Sequence, residues 1–211
     1  MFSKLRKNYD VYVDKTMFIY AMAQEMRYQT VFLARPRRFG KSLLCSTIEA
    51  LFRNERELFD GLAISKTDWI WQEHPIIHIS LDAGNFTENV EVLIKTLNNQ
   101  INHICNEYGI SPNEDGELAI KFSNVIIELY KKSGEVVIII DEYDNPLLST
   151  IDKPELNTKL REQLKGFYSV IKQYEQYIRF AFITGVTKFA RTAIFSGLNK
   201  RANFIMISAL V

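Results

Sequence analysis

The stretch TVFLARPRRFGKS (30–42) decides how this chain is read. TVFLA is a short apolar run with the character of a strand, and RPRRFGKS (35–42) ends in the Gly-Lys-Ser triplet of a phosphate-binding loop. The usual pattern, G-x-x-x-x-G-K-[ST], opens on glycine, whereas here Arg35 stands in that place. Beyond the lysine, Leu44, Ile48, Leu51 and Phe52 recur at helical spacing and predict a helix over about 41–53. In a strand–loop–helix of this kind, backbone N–H groups wrap phosphates and the helix turns its positive end toward them. The expected binding set is Arg35, Pro36, Arg37, Arg38, Phe39, Gly40, Lys41, Ser42 and Leu43. Gly40 is expected to let the backbone approach closely, Lys41 to reach the β and γ phosphates, and Ser42 to ligate Mg²⁺. The competing reading of the triplet is a solvated basic turn leading into a surface helix.

A second stretch strengthens the first. VVIIIDEYD (136–144) is a continuous β-branched run, as in a strand buried on both faces, that ends in acids. Asp141 is expected in the Mg²⁺ shell and Glu142 as the group that polarises an attacking water. With Lys41 and Mg²⁺ compensating charge, phosphoryl transfer needs little else. IRFAFIT (178–184) is a further buried strand, and Thr184 at its end is a candidate to orient water beside the γ-phosphate.

The remaining pattern alternates strands with helices. IIHISL (76–81) reads as a strand, and 88–108 as an amphipathic helix stopped by Gly109. SPNEDG (111–116) reads as a turn, followed by a helix to about Lys132 closed by Gly134. A polar helix is expected over 154–176 and a last strand in FIMISAL (204–210). Glycines and prolines are each expected near an element boundary. The whole predicts one α/β domain, 1–211, on a parallel sheet, with ligands bound beyond the C-terminal strand ends.

Composition narrows the classes. A net charge of +1 gives no global case for nucleic acid or membrane binding, and RPRR is a dense but local basic cluster. No run approaches the roughly 18 apolar residues of a membrane span, and no secretory signal is expected, since Asp and Lys break the N-terminal apolar runs. Cys45 and Cys105 lack metal-ligand spacing and are expected to be buried free thiols in a reducing, cytoplasmic setting. His74 and His78 sit four apart, but on a strand that is roughly 13 Å, too far to share one zinc. A guanine-recognition motif is missing, because Asn199-Lys200-Arg201-Ala202 lacks the acid, so adenine is favoured.

YVDKT (12–16), RPRRFGKS, ELFDGL (57–62), IDEYDNPL (140–147), GVTKF and FSGLN (185–199) together resemble the predicted AAA-ATPase-like family of bacterial proteins. In that family an arginine at the first loop position is typical. The resemblance implies a P-loop NTPase three-layer sandwich of sheet order 5-1-4-3-2, helices on both faces, and an extra strand between the loop strand and the acid strand. It implies Walker A roles for Lys41 and Ser42, Walker B roles for Asp141 and Glu142, and a sensor position for Thr184. YVDKT is expected near the nucleotide through Tyr12, Asp14 or Lys15, and Lys188 and Arg191 are candidates for γ-phosphate contact. The family's lid and nuclease-like effector regions are expected to be missing here. ATP and Mg²⁺ are the expected ligands, with self-association left open as a partner class. The function expected is Mg²⁺-dependent ATP hydrolysis. The alternatives are a nucleotide-binding switch without useful turnover, a P-loop small-molecule phosphotransferase, and a degenerate fragment.

Overall fold

The computed structural model describes residues 1–24, 30–111 and 116–187, together with the strand Phe204–Ile207. One sheet organises them: β1 (Thr30–Ala34), β2 (Ile76–Ser80), β3 (Val136–Asp141), β4 (Ile178–Gly185) and β5 (Phe204–Ile207). The order across the sheet is β2-β3-β4-β1-β5, which read from the β5 edge is 5-1-4-3-2. Every pairing is parallel. β4 therefore lies between the loop strand β1 and the acid strand β3.

The helices are α1 (Phe2–Lys7), α2 (Thr16–Gln24), α3 (Lys41–Phe52), α4 (Val90–Tyr108), α5 (Leu118–Ser133), α6 (Asn145–Leu148) and α7 (Pro154–Gln173). Successive strand residues face opposite sides, and the core divides accordingly. Val136, Ile138 and Ile140 of β3 join Leu97 of α4, Ile126 of α5 and Leu164 of α7 in one apolar cluster. Val137 and Ile139 join Phe2, Ile19 and the α3 residues Ile48 and Phe52 in the other. β4 splits in the same way, Ala181 and Ile183 to the first, Phe180 and Phe182 to the second. All six β3 residues are buried, which is why the five before Asp141 are a continuous apolar run. Two aliphatic or aromatic faces per strand give two helix layers, and the result is a three-layer sandwich.

Several boundaries differ from the sequence pattern. The polar helix expected to reach 176 ends at Gln173 and is followed by a 3₁₀ turn, Glu175–Tyr177. Gly166 lies inside α7 rather than at a boundary. Residues 112–115 of the expected turn and 208–210 of the last apolar run lie outside the described residues. The N-terminal helices α1 and α2 are not announced by the sequence, because tertiary contacts hold them. The Phe2 N–H donates to Ser46 Oγ at 3.0 Å, and the Phe2 ring is fully buried.

YVDKT is fixed by Asp14. Its carboxylate accepts from the Thr16 N–H (2.8 Å), the Thr16 hydroxyl (2.7 Å) and the Ala63 N–H (2.7 Å). Partial burial raises its pKa, yet these hydrogen bonds outweigh that and hold the carboxyl below its usual value. Tyr12 lies half-buried against α3 beside Phe2. Both residues tie the chain start to α3 and to the ELFDGL turn.

Candidate functional site

Because the sheet is parallel, β1, β3 and β4 present their C-terminal ends at the same rim, where α3 begins. The Arg35 N–H donates to the Gly185 carbonyl at 3.0 Å, continuing the β1–β4 ladder into the loop. Gly40 then takes a left-handed backbone, φ 74° and ψ 18°, and leads into α3. A Cβ at Gly40 would meet no protein atom within 4 Å, so within the protein the demand for glycine comes from its φ. The first turn of α3 contains no acidic residue and no side chain caps it. Its leading N–H groups are thereby left for an anion.

Lys41 is buried, with 4% exposure, and its ammonium donates to the carbonyls of Arg35 (3.2 Å) and Pro36 (3.3 Å). A cation held at the base of the loop by two carbonyl oxygens is oriented for a stronger anionic partner. Ser42 is exposed beside it, and Leu43 is half-buried, its carbonyl accepting from the hydroxyls of Ser46 and Thr47, both at 2.9 Å. Arg37, Arg38 and Phe39 are exposed on the loop, and Arg38 holds φ 67°, rare for a side-chain-bearing residue.

The acids form a second, connected unit. The fully buried Thr184 hydroxyl donates to Asp141 Oδ1 and accepts from the Glu142 N–H at 3.4 Å. Thr184 has one hydroxyl proton, and that proton is given to Asp141. In this arrangement Thr184 ties the Asp141 carboxylate to the Glu142 backbone. Glu142 sits at φ 54°, half-exposed, on the turn leaving β3. Beneath the acids lies Cys45 of α3, fully buried. Burial first, and the Asp141 carboxylate next, push its thiol well above the usual pKa.

Three residues that the sequence pattern did not single out complete the rim. The fully buried Asp144 accepts from the N–H groups of Val186 (3.0 Å) and Thr187 (2.7 Å) and from the Thr187 hydroxyl (3.0 Å). Tyr143 donates its hydroxyl to the Thr187 carbonyl at 2.9 Å. Together they pin the chain as it leaves β4, and they explain Gly185: a Cβ there would lie 2.4 Å from the Tyr143 ring and 2.6 Å from Asp144 Oδ1. Asn145 donates to the Leu81 carbonyl at 2.7 Å and accepts from Arg37 at 3.3 Å. The signal available in the sequence was the acid-and-amide density of DEYDN directly after a buried strand. Lys188 and Arg191 lie outside the described residues.

His74 and His78 serve separate partners. His74 Nδ1 pairs with the Glu135 carbonyl (3.0 Å) and His78 Nδ1 with Glu49 Oε2 (2.8 Å).

The sequence profile of the predicted AAA-ATPase family matches residues 1–195, from α1 through the P-loop, the acid strand and β4. The chain belongs to this family. A family relative, described as an uncharacterized protein in the vnfD 5′ region of Azotobacter chroococcum mcd 1, is 36% identical over 206 residues. Those residues cover 94% of this chain and 38% of the relative. Among solved structures, this AAA-ATPase-family chain is similar to the Aeropyrum pernix ORC2 protein in its ADPNP-ADP complexes. The TM-score is 0.47 at 12% identity, over 98% of this chain and 46% of that one. The ADP form of the same protein gives 0.46 at 12% identity, over 97% and 46%. The chain thus spans less than half the length of each of these proteins. No described helix is long and apolar enough to cross a membrane.

Proposed function

We propose that this chain binds ATP with Mg²⁺ at the loop 35–43 and hydrolyses it. The observation that carries this reading is the Thr184-centred link between Asp141 and Glu142, at the same rim as the buried Lys41 ammonium. The parts divide the work. Loop N–H groups and the α3 N-terminus receive phosphates, and Lys41 exchanges the Arg35 and Pro36 carbonyls for phosphate oxygens. Glu142, half-exposed, takes the proton of the attacking water, and Thr184 holds the Asp141 carboxylate against the Glu142 backbone.

The donor set fits Mg²⁺. One serine hydroxyl and one buried carboxylate are hard oxygen ligands, and this ion keeps several waters and uses substrate phosphates for the rest. Among the described residues no group of three or more His, Cys, Asp or Glu gathers into a cage of its own. Ser42 and Asp141 would hold the ion, which supplies positive charge to the phosphate oxygens. The single-domain reading of 1–211 belongs to the same proposal.

Titration calorimetry with ATP, ADP and GTP, with and without Mg²⁺, tests binding. Phosphate release from the parent and Glu142→Gln tests turnover. The expected result is a loss of about 10²–10⁴-fold in rate for Glu142→Gln, with ATP affinity kept within about threefold. Equal rates in the two proteins refute the assignment of Glu142. ATP binding without phosphate release in the parent selects the switch reading instead.

A further inference from the structure

A side-chain contact links the two halves of the site. Arg37, on the phosphate loop, donates from Nη2 to Asn145 Oδ1 at 3.3 Å, across 108 residues of chain. The orientation of the Asn145 amide is settled by its other partner. Nδ2 donates to the Leu81 carbonyl at 2.7 Å, and a carbonyl can only accept, so the oxygen must face Arg37. Asn145 is also tied to the acid loop, because its N–H donates to the Glu142 carbonyl at 3.0 Å. An exposed guanidinium is therefore held by a neutral oxygen, three residues past the group assigned to activate water.

A neutral acceptor is a weak partner for a guanidinium, and a phosphate oxygen is a strong one. We propose that Asn145 is a positioning residue that parks Arg37, and that the guanidinium leaves it for the terminal phosphate of a bound nucleoside triphosphate. Lys41 sits at the base of the loop on the Arg35 and Pro36 carbonyls, whereas Arg37 is tethered on the Glu142 side. Of these two cations, Arg37 is the one placed to distinguish a triphosphate from a diphosphate. The chain then carries in its own phosphate loop a cation for charge developing on the transferred group. This rests on the nucleotide-site reading above.

The test is the affinity for ATP and for ADP, with Mg²⁺, of the parent, Arg37→Ala, Arg37→Lys, Asn145→Ala and the double variant, with thermal melts as folding controls. Arg37→Ala should weaken ATP by about 10–100-fold and ADP by less than about threefold. Arg37→Lys should recover part of the loss, since it restores the charge without the planar fork. Asn145→Ala should leave ATP no weaker than in the parent, whatever the lost Leu81 hydrogen bond costs in the melt, and the double variant should match Arg37→Ala in its ATP/ADP ratio, because Asn145 reaches the phosphate only through Arg37. A melt lowered by Asn145→Ala together with an unchanged ATP/ADP ratio in Arg37→Ala would make the contact a structural tie and overturn the proposal. So would equal losses of ATP and ADP in Arg37→Ala. A parent that binds neither nucleotide, with Lys41→Ala indistinguishable from it, refutes the nucleotide site itself and this inference with it.

Discussion

The rim where β1, β3 and β4 end and the outer edge at β2 treat their polar groups in opposite ways. At β2 the outward backbone is occupied by side chains from α4. The Ile76 N–H donates to Tyr108 Oη at 2.7 Å, and the Gln100 amide both accepts from the Ser80 N–H (2.9 Å) and donates to its carbonyl (2.8 Å). At the rim, Arg38 and Glu142 hold left-handed backbones, the first turn of α3 has no side-chain cap, and Lys41 rests on loop carbonyls. Groups are tied up where the sheet must stop and kept available on the loop side of the rim, where the proposed nucleotide would enter. Strain and weakly met polar groups at one place are a mark of function, whereas a capped edge guards against strand addition.

Four experiments sharpen or break that contrast. The largest effect is expected at the rim's one tightly packed point. Gly185→Ala should cost about 2–3 kcal/mol in urea unfolding, because its Cβ would collide with Tyr143 and Asp144. A loss below about 0.5 kcal/mol would mean the chain after β4 is not pinned as described. Next, Gln100→Ala should cost about 1–2 kcal/mol through its two backbone hydrogen bonds and leave nucleotide affinity unchanged. Size-exclusion chromatography should then show self-association through the uncovered β2 edge.

A smaller effect comes from pH. Burial raises the Glu49 pKa, but the His78 hydrogen bond and the charges of His78 and Arg53 win, and the carboxyl lies below its ordinary 4.5. A depressed carboxylate contributes stability above pH 4.5 that is lost as the pH falls through the lower folded value. The partly exposed pair is worth under about 1 kcal/mol, and Glu49→Gln should flatten the acid limb of a stability–pH curve. The smallest change is expected for Arg38→Gly. Relief of the left-handed backbone and the added freedom of the unfolded chain nearly cancel, leaving a gain of about 0.5 kcal/mol.

The sequence made the strands and the two loops legible because each is written locally. A buried parallel strand must be continuously apolar, as in VVIII, and a phosphate loop must carry Gly-Lys-Ser at a helix start. What could not be read depends on partners far along the chain. Asp14 is an ordinary loop acid until Ala63 comes to it, 49 residues on, and Asp144 until Val186 does, 42 residues on. Asn145 looks like a residue at the start of a short helix, and its work lies with Leu81 and Arg37. α1 and α2 stay hidden for the same reason, since each is short and its support is α3 or the turn at 62–64.

The place of β4 between β1 and β3 has a mechanical consequence. The loop strand and the acid strand share no ladder, so they meet through β4: Arg35 on the Gly185 carbonyl, Asp141 on the Thr184 hydroxyl, and the Tyr143 N–H on the Thr184 carbonyl at 2.9 Å. Asp144 grips the two residues that follow. A pull on the chain beyond Thr187 would be delivered to the phosphate loop and to the acids in the same stroke. The strand end is thus a common anchorage for the two halves of the proposed site, joined to the loop through Arg35 and to the acids through Thr184.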